Sequence, residues 1–334
     1  MDQQFKCYEV QEVGEDHIGL IKVKNIAELP DNEVLIRVLY SGLNYKDALS
    51  AKGHRGVTRN YPHTPGIDAA GIIESSSNPE FLSGQKVIVT SYDLGMNTPG
   101  GFGQYIRVPG NWIVPLPSQL SLRESMFFGT AGLTAAQGIY AMIKNGQTPA
   151  MGPVLVTGAR GAVGGMAVMI MAKLGFRVLA AVSKIADDTE YLKSLGASDV
   201  IDSEQTNDRS GRVLLKPKWA GAFDVVGGNT LATILKCTSY GGNVVAVGNI
   251  EGAELNTTVF PFILNGINLL GIGTQDTPMQ LRTKLWNLLA TKWKPANPEA
   301  TVVEIGLNKL QSYLDIMNLK KSRGKILLNL HDTD

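Results

Sequence analysis

The sequence predicts an α/β protein in which a small strand-rich barrel precedes a doubly wound parallel sheet. Three observations carry this. Residues 154–157 (VLVT) form a short apolar, β-branched run, 158–165 (GARGAVGG) a glycine-rich turn, and 166–174 a segment apolar on nearly every face. That order reads as strand, tight turn and buried helix. Residues 176–182 (FRVLAAV) then follow Gly175 as the second strand of a βαβ unit. Further strand candidates at 199–202, 222–226, 243–247 and 267–272 alternate with helical segments, the pattern of a parallel sheet. Before residue 118 the chain instead shows short strands punctuated by Gly and Pro, the pattern of a small barrel.

In chain order, strands are expected at 5–10, 19–23 and 34–40. A loop at 41–50 runs into a short helix, and a basic loop follows at 52–59. More strands are expected within 65–73, 84–90 and 100–108, before a linker-like stretch around Pro115 and Pro117. A helical run at 121–140 carries a break, Gly129-Thr130-Ala131-Gly132. After the βαβ region the tail holds helices near 281–293 and 309–319 and a final strand at 325–330. This tail is expected to return to the first domain. The domains are then 1–118 plus 276–334, for substrate, and 119–275, for nucleotide.

The 334 residues suffice for two domains. Hydrophobic content of 44% with 18% charged residues is ordinary for a globular α/β chain. A formal net charge of +1 points to neither nucleic acid nor an anionic membrane as partner. Cys7 and Cys237, the two cysteines, form neither a CxxC knuckle nor a disulfide framework. The first six residues carry an acid and amides where a secretory signal would be apolar, and no apolar run is expected to reach bilayer length. A cytoplasmic location is the expectation.

The turn reads Ala159-x-Gly161-x-x-Gly164, a variant dinucleotide fingerprint with Ala first. Gly161 leaves room for a pyrophosphate against the backbone, and Gly164 lets the helix pack close to the strand. The helix N-terminus offers free N–H groups and a positive dipole end. Ala159, Arg160, Gly161, Ala162 and Val163 are therefore the candidate diphosphate contacts. An NAD enzyme carries Asp or Glu at the end of the second strand for the ribose hydroxyls. Here Ser183 and Lys184 stand there, a hydroxyl and a cation that suit a 2′-phosphate, and NADPH is expected over NADH. Asp187 and Asp188 are expected on a solvated helix start.

Several stretches together resemble a known family: LNYKDAL (43–49), PGIDAAG (65–71), GTAG (129–132), VTGARGAVG (156–164), EYLKSLGA (190–197) and TTVFPFIL (257–264). The chain resembles the zinc-independent medium-chain dehydrogenase/reductase superfamily. Within it, the chain is similar to the YhdH-like quinone oxidoreductases, whose members include NADPH-dependent acrylyl-CoA reductases. The resemblance covers nearly the whole chain. It implies a GroES-like barrel domain, a Rossmann domain, a cleft between them and a homodimer. It further implies cofactor contacts at Tyr45, Asn249, Ile263, Thr274 and Lys325. Asn249 and Thr274 fall at expected strand ends, and Lys325 stands where the family has Arg. Two departures weaken the phosphate site: Ile185 replaces the Arg or Lys of the family's Ser/Thr-Gly-Arg/Lys turn, and Asp199 stands where Arg is frequent.

Alcohol dehydrogenases of the superfamily use zinc held by Cys, His and Glu. The stretch carrying their Gly-His-Glu reads Gly66-Ile67-Asp68 here, and two cysteines cannot build a structural zinc site, so no zinc is expected. Alcohol oxidation then lacks its Lewis acid. Reduction of an activated C=C bond needs less, because nicotinamide supplies hydride and fixed donors stabilise the enolate oxygen. The expected substrate is acrylyl-CoA or a small enone; alternatives are a quinone or a non-catalytic role in NADPH binding. Tyr45 is the catalytic candidate, its phenol donating to the nicotinamide amide, a carbonyl or the enolate; the other reading is a bond to its own loop. Thr130 either bonds the nicotinamide or caps a broken helix. Asn44 and Asp47 read as helix caps. Lys325 either reaches a phosphate or is an exposed strand-edge charge. The basic loop 52–59 either meets CoA phosphates or is simply solvated.

Overall fold

Strands in this chain form where β-branched and apolar residues run between Gly, Pro and Asn turns, and helices form where caps precede apolar periodicity. The computed structural model describes residues 3–296, 301–319 and 322–331. The chain begins with β1 (Gln4–Val13), β2 (Asp16–Asn25), β3 (Val34–Gly42), α1 (Tyr45–Ala51), β4 (Asp68–Ser76), β5 (Lys86–Thr90), β6 (Tyr105–Val108) and β7 (Ile113–Pro115). There follow α2 (Leu122–Lys144), β8 (Val154–Val156), α3 (Ala162–Lys173), β9 (Val178–Val182), α4 (Ile185–Ser194), β10 (Asp199–Asp202), β11 (Trp219–Asp224), α5 (Gly228–Cys237) and β12 (Thr238–Ala246). The last elements are α6 (Phe260–Asn265), β13 (Asn268–Gly271), α7 (Met279–Ala290), β14 (Val302–Ile305), α8 (Leu310–Asn318) and β15 (Lys325–Asn329). Contacts divide the chain into two compact units. One is Met1–Thr130 with Gln275–Ala290 and Asn297–Asp334; the other is Ala131–Thr274 with Thr291–Ala296.

The first unit holds an antiparallel β1–β2 ribbon and a seven-stranded sheet of order β14-β15-β3-β4-β5-β7, with β6 on β3. The partners of β3 arrive from across the sequence: β4 and β6 from its own half, β15 from the C-terminal tail. Val34, Ile36, Val38, Ile73, Val89 and Phe102 share one buried cluster with α8 residues Leu310 and Leu314. Two strands escape the sequence reading. β14 is short and parallel to β15, with two exposed residues, so alternation barely shows. β7 takes in Pro115, read above as linker; it pairs only with β5, at the sheet edge, where a missing N–H is tolerated.

The second unit is a six-stranded, wholly parallel sheet of order β10-β9-β8-β11-β12-β13. Numbered within the unit this is 3-2-1-4-5-6, so the strand order reverses between β8 and β11. The central strands β8 and β11 are buried at every residue, which is why they read as continuous apolar runs. Thr157 Oγ1 donates to Asp224 Oδ1 (2.6 Å). Asp224 also accepts from Gly227 N (2.8 Å), so one buried carboxylate ties the ends of both strands at the reversal.

Contrary to the expectation that no apolar run reaches bilayer length, α2 is long and apolar enough to span one by length and composition. Two facts make it a core helix: 67% of its most apolar window is buried, and its backbone breaks at Gly129 (φ 48°, ψ −153°). The break is a single glycine; Gly132 stays helical. A Cβ at Gly129 would lie 2.2 Å from Asp68 Oδ2, besides the strain of the positive φ. Gly129→Ala should therefore lower the unfolding free energy by about 3 kcal/mol, read from the urea midpoint; an unchanged midpoint would show that the break is not needed.

Candidate functional site: a buried ion pair and a bare phosphate turn

In the first unit the polar side chains converge on Asp68, the first residue of β4. Its fully buried carboxylate accepts from Thr130 N (2.9 Å) and Thr130 Oγ1 (2.6 Å) at Oδ1, and from Asn44 Nδ2 (2.8 Å) at Oδ2. Lys325 Nζ lies 3.4 Å from Oδ2. The same ammonium donates to Leu43 O (3.1 Å) and Asn44 Oδ1 (3.2 Å), which uses its three protons. Ser91 Oγ is 3.0 Å from Thr130 Oγ1. Asp68 thus caps the helix that restarts after Gly129, and Lys325 compensates its charge.

Just beyond this pair, α1 starts at Tyr45. Asp47, at the third helical position, reaches back with Oδ2 to Asn44 N (2.7 Å), half of a capping box. Its Oδ1 accepts from Ile67 N (2.9 Å), so it also holds the residue before Asp68. Burial, and then the charge of Asp68, push the Asp47 pKa up to about 7, against the pull of the two N–H donors.

Several expectations need correction. Lys325 is neither a phosphate ligand nor a strand-edge charge: it is 1% exposed and spent on Asp68, Asn44 and Leu43. The Thr130 hydroxyl gives its proton to Asp68, the capping reading, rather than to a ligand. Asn44 is the N-cap residue of α1, as expected, and its side chain also serves Gly42 O, Asp68 and Lys325. In the basic loop, Lys52 pairs with Asp315 (3.5 Å) and Arg55 with Glu12, all on exposed side chains, and Arg59 is exposed beside them. Tyr45 is 46% exposed, and among the described residues no partner holds its hydroxyl, so the bond to its own loop is not made.

In the second unit the turn after β8 separates its residues by role. Ala159 is fully buried, a packing position rather than a contact. Arg160, Gly161, Ala162 and Val163 are half-buried. A Cβ on Gly164 would lie 2.4 Å from Gly158 O, so the fold itself requires this glycine. A Cβ on Gly161 would meet nothing closer than Gly158 O at 3.5 Å, and its φ is −77°. Nothing inside the protein demands glycine at 161, and the N-terminus of α3 there has no side-chain cap. Bare backbone and uncapped N–H groups fit a diphosphate approaching from outside. Ser183 and Lys184 are exposed at the carboxyl end of β9, and Asn249 is exposed past the end of β12. The parallel sheet therefore brings turn 159–163, Ser183, Lys184 and Asn249 to one edge. Thr274 is nearly buried and bonded to Thr134 (2.8 Å), and Ile263 is 66% exposed on α6.

Asp188 is not on a solvated face: it is buried, 3.8 Å from the Arg160 guanidinium. Asp199 sits opposite Leu179, at the other end of the strand from Ser183, and is paired with Arg177 (3.1 Å) and Lys193 (3.6 Å). Its opposition to a phosphate is therefore compensated locally. The sequence reading missed Asp68 as the hub of the polar cluster and Asp224 as the tie at the strand reversal. The visible signals were a lone acid opening an apolar strand and another closing one.

A parallel sheet of order 3-2-1-4-5-6 with a bare turn at its reversal, in one chain with a GroES-like barrel, defines a medium-chain dehydrogenase/reductase. Residues 30–118 match the alcohol dehydrogenase GroES-like domain, and 162–291 match the domain family described as zinc-binding dehydrogenase. The chain is 41% identical over 332 residues to putative quinone oxidoreductase YhfP of Bacillus subtilis, covering 99% of this chain and 100% of that protein. It is 43% identical over 270 residues to acrylyl-CoA reductase AcuI of Ruegeria pomeroyi, 81% and 82% of the respective chains. The B. subtilis YhfP structure with NAD bound superposes with a TM-score of 0.96 over 98% of this chain and 100% of that one. The yhdH oxidoreductase of Salmonella enterica in complex with NADP superposes at 0.94, with 36% identity over 98% and 99%. The chain belongs to the zinc-independent, YhdH-like branch of the medium-chain dehydrogenase/reductases, and it is an oxidoreductase.

The residues do not fit the zinc that one domain name mentions. Asp68 is spent on Thr130, Asn44 and a lysine ammonium, and its neighbours Asn44 and Ile67 offer no metal-binding imidazole or thiolate. Among the described residues, no group of three or more His, Cys, Asp or Glu could hold a metal ion. Lys325→Met should leave Asp68 buried without its cation and lower the unfolding free energy by about 3–5 kcal/mol. Asp68→Asn combined with Lys325→Met should recover part of that in the same denaturation measurement.

Proposed function

We propose that the chain is an NADPH-dependent reductase of an activated carbon–carbon double bond, with acrylyl-CoA or a small enone as substrate. The observation that carries this is Gly161, whose missing side chain serves nothing within the protein but opens the turn to a dinucleotide diphosphate. We assign nucleotide binding to the unit with the parallel sheet and substrate handling to the barrel unit. The exposed pair Ser183 and Lys184 favours the 2′-phosphate of NADPH over the free hydroxyl of NADH. The likeness to a protein complexed with NADP supports this; YhfP with NAD keeps NADH as the alternative.

The nicotinamide, when bound, supplies a hydride to the β-carbon. Arg160, Ala162 and Val163 line the diphosphate turn, with Asn249 on the same sheet edge. The Tyr45 phenol donates to the substrate carbonyl oxygen, where negative charge collects as the double bond is reduced. The Asp68–Lys325 pair does not touch substrate; it holds Asn44, and hence the start of α1, in place. Likeness to AcuI supports an acrylyl thioester. Likeness along the full length to YhfP supports a second reading, quinone reduction. A homodimer is proposed through the open edge of β13 and the exposed apolar residues Val259, just before α6, and Ile263 and Leu264 of α6, with Tyr240.

Two measurements test this. Gly161→Val should weaken NADPH binding at least tenfold by fluorescence titration while the apo melting temperature is kept, whereas Gly164→Val should lose the fold; a Gly161→Val protein with full affinity would sink the dinucleotide reading. Oxidation of NADPH should proceed with acrylyl-CoA or an enone, faster than with benzoquinones and faster than with NADH. Tyr45→Phe should lower kcat by about tenfold to a hundredfold. Preference for benzoquinones would establish the second reading, and no turnover with any of the three would remove both.

A further inference from the structure

One ion pair joins the glycine turn of the second unit to the helix that follows Ser183 and Lys184. Arg160 Nε lies 3.8 Å from Asp188 Oδ1. Arg160 is the residue before Gly161, and Asp188 stands in the first turn of α4. The two ends of the pair differ in exposure: the Asp188 side chain is 2% exposed and the Arg160 side chain 35%. A buried carboxylate needs a cation. Lys325, which neutralises Asp68, is buried with its partner; Arg160 is not. A ligand arriving from solvent therefore meets the guanidinium and not the carboxylate.

The direction of that side chain matters. The backbone of Arg160 belongs to the turn on which the diphosphate is placed, but its side chain leaves the turn toward α4. The start of α3 packs close to α4 there: a Cβ on Gly165 would lie 3.4 Å from Leu195 and 3.9 Å from the Tyr191 hydroxyl. α4 begins at the carboxyl end of β9, where the adenosine ribose of a dinucleotide lies in a sheet of this order. Ser183 and Lys184 are exposed at that end, and the next residue, Ile185, is exposed and carries no charge. A guanidinium offers five fixed N–H donors, and a bidentate carboxylate takes two of them. We propose that Arg160 is the specificity-determining residue for the cofactor. Its guanidinium, held toward α4 by Asp188, binds the 2′-phosphate of NADPH together with Ser183 and Lys184, and does not bind the diphosphate. This rests on the dinucleotide reading above. NADH, with a free hydroxyl at that carbon, gives the guanidinium no anion to pair with.

Four further carboxylates belong to the elements at this edge. Asp187 and Glu190 are exposed on α4, where water screens them. Asp202, opposite Val182 at the end of β10, is turned onto Glu204 N (2.9 Å). Glu204 in turn accepts from Asn207 Nδ2 (3.3 Å). On the positive side, Lys184 is joined by the N-terminal N–H groups of α4, which has no side-chain cap. The guanidinium is thus the one cation that reaches this edge from the glycine turn, and a carboxylate that solvent does not reach fixes its position.

The test is the dissociation constant of NADPH and of NADH, each by fluorescence titration, in the natural protein, in Arg160→Gln and in Arg160→Lys. The natural protein should bind NADPH the more tightly. Arg160→Gln should weaken NADPH binding by about tenfold to a hundredfold, the worth of a charge-assisted contact, and leave NADH binding unchanged. Arg160→Lys keeps the charge without the fork and should fall between the other two in NADPH affinity. Equal weakening of both cofactors in Arg160→Gln would put the guanidinium on the diphosphate and overturn the proposal; so would an unchanged NADPH constant. Should Arg160→Gln fail to fold because Asp188 has lost its cation, Arg160→Gln combined with Asp188→Asn removes both charges and takes its place, with the same outcomes deciding. A natural protein that binds NADH as tightly as NADPH overturns the proposal and leaves the dinucleotide reading standing; one that binds neither removes both.

Discussion

The first unit depends on one buried charge pair. Asp68 and Lys325 come from positions 257 residues apart. Taking each from water is expensive, and the expense is offset only because nearly every donor and acceptor around them is used. That requirement organises the surroundings. Lys325 must enter on β15 beside β3, the chain must turn at Gly129 so that Thr130 can meet the carboxylate, and Asn44 must extend before α1. The exposed residue that follows Asn44 is Tyr45, so a stability constraint and the presentation of an exposed phenol share one backbone.

The second unit solves a related problem with less charge. Its strand order leaves a gap in the pattern of helices where β8 and β11 run side by side, and ligands of such sheets gather at that place. Asp224 and Thr157 lock the strand ends there. The turn above them then sets its two glycines apart. Gly164 is demanded by Gly158 O, while Gly161 is free of internal demands. A motif with two glycines in common-looking positions thus contains one that internal packing explains and one that no contact inside the protein requires.

The order and type of most elements were legible from local patterns because those patterns are local physics. Apolar β-branched runs, the glycine turn and the helix break at Gly129 needed no tertiary knowledge. β14 was not legible, because half its residues are exposed and its pairing with β15 is distant in sequence. The linker reading of Pro115 failed because edge position, which forgives a proline, is invisible locally.

The candidate site divides along the same line. Tyr45, the turn 159–164 and the pair Ser183 and Lys184 were identifiable because they sit at strand ends or helix starts, whose place follows from periodicity. By itself the sequence determined the glycine turn between a strand and a helix, the strand alternation and the departure of residues 66–68 from a zinc-binding pattern. Only tertiary structure decided that Lys325 is the counter-ion of Asp68, that Thr130 caps rather than reaches outward, and that Asp47 is buried with its carboxyl on Asn44 N and Ile67 N. The physical reason is that burial and charge compensation are properties of neighbours brought together by folding, and those neighbours lie tens to hundreds of residues apart along the chain.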